Sequence, residues 1–241
     1  MEEIMKKKAV KFSYPATQCL QCRCMQKSQI ANICDHCYAQ LQRLQNCCLR
    51  CAKPAPKPVN TCGNCLNSRS KIDQVLIPCI YTKPIDKWLK RLKDQRRFEN
   101  LPICTALMLE KLQGLSNIDF IMPIPIHWTK RLIRGYNQTE LLAKSLGKQL
   151  DIPVCNHVIT RSKKVRSQRG LKKKERIQNQ RNSFSIKNRP ILYKKHVLLV
   201  DDIFTTGATA EQAAIVIKNA GAARITLITV ARTPEPKAIT I

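Results

Sequence analysis

The stretch VLLVDDIFTTGAT, residues 197–209, sets two carboxylates, Asp201 and Asp202, directly ahead of a hydroxyl-rich turn. That turn, Thr205-Thr206-Gly207-Ala208-Thr209, opens on AEQAAIVIKNAG, a helical pattern closed by Gly221. Free amides at a helix start, the positive end of the helix and threonine hydroxyls together make a cradle for a phosphate monoester. Gly207 lets the backbone approach such an anion closely. Two carboxylates would repel the phosphate itself, but they accept hydrogen bonds from vicinal hydroxyls. A ribose 5-phosphate satisfies both halves, with its phosphate in the turn and its 2′- and 3′-hydroxyls on the aspartates. The pattern is not a P-loop, whose lysine is absent, nor a dinucleotide fingerprint with its three spaced glycines.

A second constellation lies near the N-terminus. Ten of the 13 cysteines fall between Cys19 and Cys65, and eight of them form the pairs Cys19/Cys22, Cys34/Cys37, Cys48/Cys51 and Cys62/Cys65. Two residues between thiolates allow a tight turn to aim both sulfurs at one ion, and two such knuckles close a tetrahedral sulfur shell suited to zinc. Two structural zinc ions are expected, with consecutive pairs sharing an ion in the simplest arrangement and a cross-braced pairing equally compatible with the spacing. Cys24 and Cys47 stand beside ligands as spare thiols. The segment carries few large apolar residues and the proline-rich run KPAPKPVN, so metal binding must supply its folding free energy. His36 reads as a surface residue, and Cys79, Cys104 and Cys155 as ordinary thiols.

Formal net charge is +27, from 43 Lys+Arg against 16 Asp+Glu, which favours a polyanionic partner. The start MEEIMKKKAV lacks the apolar core of a signal peptide, and no apolar run reaches the ~18 residues of a membrane span. A soluble, cytoplasmic protein is expected, where cysteine-rich pattern means metal rather than disulfide.

The elements that must hold these residues are legible in the periodicity. IDKWLKRLKDQRRF spaces Ile85, Trp88, Leu89 and Leu92 for an amphipathic helix with a basic outer face, and LPICTALMLEKLQ continues as a second helix with Pro102 in its first turn. IDFIMPIP reads as a strand entering a rigid loop. NQTELLAKSLGKQL reads as a helix presenting Leu141, Leu142, Leu146 and Leu150. HVLLV is short and apolar on both faces, as a covered parallel strand requires, and RITLITVA is the next strand after one helix. The class is α/β with a mainly parallel sheet and helices on both faces. It comprises a phosphoribosyl-site domain over 71–241, preceded by a double zinc ribbon over 15–70.

The 13-residue stretch resembles the signature of type I phosphoribosyltransferases, which binds phosphoribosyl pyrophosphate (PRPP); Phe204 stands where a smaller aliphatic is usual. With the four cysteine knuckles, PIPIHWTKRLIRGYNQTELL and SQRGLKKKERIQNQRNSF, nearly the whole chain resembles the ComF family of competence proteins. That resemblance implies natural transformation and DNA uptake as the setting. It also implies Mg2+-dependent displacement of pyrophosphate from PRPP, and makes Lys130, Arg131, Arg134 and Gly135 candidates for the pyrophosphate loop. Gln168, Arg169, Arg176 and Asn179 become candidates in a mobile loop, within a segment (161–195) holding 14 Lys/Arg against one acid, Glu175. His127 reads as a satisfied loop residue and Asn137 as a helix cap. Two other functions fit the same residues. One is a non-catalytic module gripping single-stranded DNA; the other is a zinc-dependent adaptor for a DNA-uptake helicase or other competence proteins.

Overall fold

A computed structural model describes residues 17–26, 32–161, 184–187 and 189–234. His196–Val200 (β8) is buried at every position, and it forms the middle of a parallel four-stranded sheet. Phe120–Pro123 (β5) pairs on one side, Arg224–Ile228 (β10) on the other, and Gln74–Leu76 (β3) lies beyond β10. Alternate residues of β8 feed two cores, because side chains alternate across a strand. Leu198 and Val200 pack with Leu89, Leu107 and Leu142, while Val197 and Leu199 pack with Ala213, Ala214 and Ile217.

The first core is covered by Ile85–Asp94 (α3), Leu101–Lys111 (α4) and Gln138–Leu150 (α6), the second by Ala208–Asn219 (α7). In α3 the four expected apolar residues are all buried, and Lys87, Lys90 and Arg91 face outward. In α6 the buried stripe is Leu142, Ala143 and Leu146, with Leu141 and Leu150 at its margins.

Past the carboxyl ends of β3, β8 and β10 the chains step into a second parallel sheet. Its order is Cys79–Ile80 (β4), Ala231–Arg232 (β11), Ile203–Phe204 (β9). Asp201 and Asp202 occupy the step between β8 and β9.

The cysteine-rich segment leans on this sheet. Residues 42–49 run antiparallel along the outer edge of β4 and β3: Ile80 N–H donates to Gln42 O (2.8 Å), Leu44 N–H to Pro78 O (2.8 Å) and Val75 N–H to Leu49 O (2.9 Å). The connector thereby caps an otherwise open sheet edge. Cys19, Ile33, Cys34, Cys37 and Leu41 join the first core, and Leu44, Cys47 and Ala52 the second, so a segment too poor in apolar residues for its own core shares both. Among the described residues no helix is long and apolar enough to cross a membrane.

Candidate functional site

The two aspartates sit at the sheet's carboxyl edge, where open α/β sheets bind ligands, but they face different surroundings. Asp202 is buried and already has partners on both oxygens. Its Oδ1 accepts from Ile203 N–H at 2.8 Å, and its Oδ2 accepts from Gln138 Nε2 at 3.1 Å and pairs with Lys93 Nζ at 2.8 Å. Asp201 Oδ1 accepts from the Asp202 amide at 2.9 Å. Burial, and then the neighbouring Asp202 charge, hold the Asp201 carboxyl well above the usual carboxylate range. A group so held gains from hydroxyl donors or a cation at its free edge.

The turn that follows leads into the 12-residue α7 through Gly207, whose φ is +74°. Thr205, Thr206 and Thr209 are exposed, and Thr206 Oγ1 accepts from Ala208 N–H at 3.3 Å. Phe204 lies beneath the turn: a Cβ built on Gly207 would sit 2.7 Å from its ring. Glycine is therefore required here by its dihedral and by the aromatic ring that replaces the usual aliphatic.

The stretch read as a loop around Lys130 contains a helix, Trp128–Arg134 (α5), capped by His127 Nδ1 at its start and by Gly135 at φ +78° at its end. Its seven residues bury no side chain, so no apolar period announces it. Asn137 caps α6 as expected, its Oδ1 accepting from Thr139 N–H at 3.2 Å. Lys130 and Arg134 line a cavity of about 320 Å3 together with Lys93 and Arg96 from the α3 side, with Asp94 also on its wall. Arg134 reaches Asp94 at 3.1 Å and Gln138 at 3.3 Å. Arg131 turns away to pair with Glu140 at 2.9 Å and does not line the cavity. The group lying close to Gly135 is the Arg96 guanidinium, whose Nη2 donates to Arg134 O at 3.1 Å. Gln168, Arg169, Arg176 and Asn179 lie outside the described residues.

Lys93, Arg96 and Gln138 escaped the sequence reading. Lys93 follows Leu92 on a helix whose cations looked uniformly solvated, and only the packing angle of α3 carries this one to Asp202.

The cysteines gather as Cys19/Cys22/Cys34/Cys37 and Cys48/Cys51/Cys62/Cys65, the consecutive rather than the cross-braced pairing. The sulfurs of Cys22 and Cys34 are 3.6 Å apart and those of Cys51 and Cys62 3.7 Å. A tetrahedron with Zn–S of about 2.3 Å has edges of about 3.8 Å, so the donor sets fit that ion. Burial pushes the Cys19 thiol up, but amides of Cys22, Cys34 and Gln21 outweigh it and bring it down to about 6; the same balance brings Cys48 to about 7. Cys24 is exposed and Cys47 buried, and both lie outside the two groups. His36 is exposed, with its ring against Gln40.

Comparison with known proteins matches residues 138–238, from α6 to beyond β11, to the phosphoribosyl transferase domain family. The chain is 30% identical to "Competence protein F" of Haemophilus influenzae over 223 residues, which is 89% of this chain and 96% of that one. The chain belongs to the competence protein F family. As a member of it, this chain joins a type I phosphoribosyltransferase fold to a cysteine-rich segment with two four-cysteine groups able to hold metal. It is also 28% identical to "DNA utilization protein YhgH" of Salmonella typhimurium, across 89% of this chain and 96% of that one. A purine phosphoribosyltransferase from Pyrococcus horikoshii overlaps at a TM-score of 0.38 and 23% identity, covering 56% of this chain and 76% of that one.

Proposed function

We propose that this family member binds PRPP with Mg2+ at the step between β8 and α7, transfers the phosphoribosyl group so that an acceptor nucleophile bonds to C1 as pyrophosphate leaves, and serves DNA uptake in the cytoplasm. A carboxylate pair and a Thr/Gly anion turn, meeting at one sheet edge beside a cavity lined by Lys93, Arg96, Lys130 and Arg134, carry this reading. The α7 amides and the hydroxyls of Thr205, Thr206 and Thr209 hold the 5-phosphate, with Gly207 and Ala208 giving their backbone to the turn. Asp201 and Asp202 accept the ribose hydroxyls. Lys130 and Arg134 receive the pyrophosphate, helped by Lys93 and Arg96; Gln168, Arg169, Arg176 and Asn179, outside the described residues, are further candidates for contacting it.

Bound Mg2+ would offset negative charge on the departing pyrophosphate. Catalysis then consists of positioning and electrostatic help to a departing anion, so no protein nucleophile is needed. Zinc in each four-cysteine group holds residues 15–70 as a double ribbon against the 71–241 unit. Calorimetric titration with Mg-PRPP should give saturable binding that Asp201→Asn/Asp202→Asn abolishes. A folded, zinc-loaded wild type that binds nothing would overturn the reading.

A second reading has specific support. Lys87, Lys90 and Arg91 project from α3 as an exposed cationic face, and relatives carry competence and DNA-utilization names. On this reading the chain grips single-stranded DNA or a DNA-uptake helicase, and PRPP is an effector.

A further inference from the structure

The second four-cysteine group is tied to both ends of the phosphate turn. On one side, Arg232 Nη1 donates to the carbonyl of Cys51 at 3.0 Å, while its guanidinium lies 5.1 Å from the centre of the Phe204 ring. That ring is the floor of the turn, in contact with Gly207. On the other side, Glu211 in the first turn of α7 accepts from Ser70 Oγ at 2.6 Å and from Lys71 N–H at 2.7 Å. Ser70 lies five residues past Cys65, and its carbonyl accepts from Arg50 Nη2 at 3.4 Å, between Cys48 and Cys51. Between Cys48 and Cys65 the one regular element is the four-residue helix Gly63–Leu66 (α2), so bound metal is what would fix Cys51 as an anchor. The first group connects elsewhere: Asn32 donates to Glu99 O, and Tyr38 donates to Glu110.

We propose that Arg232 is a positioning residue through which the second four-cysteine group sets how firmly the Thr205–Thr209 turn holds a phosphate. Metal at Cys48/Cys51/Cys62/Cys65 fixes the Cys51 carbonyl; the charge-assisted hydrogen bond fixes the guanidinium; and the guanidinium presses the Phe204 ring under the turn. The ribbon is then part of the phosphate site's scaffold. As a statement about phosphate binding it rests on the PRPP reading.

The test titrates the full-length chain separately with ribose 5-phosphate and with inorganic pyrophosphate, and follows amide exchange at Thr205–Thr209. Arg232→Ala, with zinc content unchanged by metal analysis, should weaken ribose 5-phosphate binding about tenfold, as loss of one charged hydrogen bond does. Pyrophosphate affinity should hold, exchange at the turn should quicken, and Arg232→Lys should recover part of both. Ser substitution of Cys62 should reproduce the effect of Arg232→Ala, and Ser substitution of Cys22 should not. Unchanged sugar-phosphate affinity and unchanged exchange in Arg232→Ala would overturn the coupling. If the wild type binds neither ligand, the PRPP reading fails on its own, and exchange at the turn alone supports or overturns the coupling.

Discussion

Asp201 and Asp202 are neighbours in the chain, yet folding gives them different work. Asp202 is bound on both oxygens, by Ile203 N–H on one and by Lys93 and Gln138 on the other, so it is already oriented before any ligand arrives. Asp201 is half-buried, its carboxyl held up by desolvation and by the adjacent charge. Its folded value lies above the unfolded one of about 3.9, so in the window between them the native state keeps a proton that the unfolded chain has lost. Stability therefore falls as pH rises through that window, and the penalty persists above it. Asp201→Asn should be more stable than wild type at neutral pH while losing PRPP affinity, measured as thermal unfolding beside calorimetry across pH. A variant less stable than wild type at neutral pH would contradict the assignment. A residue so costly to the fold is a candidate for ligand binding.

At the scale of elements, α3 does two jobs. Ile85, Trp88, Leu89 and Leu92 fix it to the first core, and that packing delivers Lys93 to Asp202 while leaving Lys87, Lys90 and Arg91 in solvent. Lys93→Met should therefore destabilise the chain by about 1–3 kcal/mol, less than for a fully sealed ion pair because the lysine side chain is 26% exposed. Denaturant unfolding would measure this, and the Lys93→Met/Asp202→Asn double variant should recover part of the loss. Lys90→Met, one turn away on the outer face, should cost almost nothing. The segment 42–49 is the other element with a double role, since it both leads from the first cysteine group into the second and seals the edge of β3 and β4.

At the scale of the molecule, a net charge of +27 means long-range attraction for polyanions whichever reading holds. If single-stranded DNA binds, log affinity should fall with log salt by about 0.7 per phosphate neutralised. Replacing Lys87, Lys90 and Arg91 with glutamine should then lower the slope by about 2; an unchanged slope would remove α3 from the DNA surface. Much of this protein was legible in its sequence because the signals are local. Four CxxC knuckles, the all-apolar HVLLV and the run from Asp201 to Thr209 each state their chemistry within a few residues, since turn geometry and strand burial are short-range constraints. The β9–β11–β4 extension and the edge segment at 42–49 were not legible, because each is defined by hydrogen bonds to residues distant in sequence; α5 was not legible because it buries no side chain and so carries no apolar period. Lys93, Arg96 and Gln138 at the site, Arg131 turned away from it, and the Arg232 link to Cys51 belong to the same class. Residue type says that a lysine or arginine carries charge, but only the packing of helices on the sheet decides which of 43 such charges faces a carboxylate and which faces water.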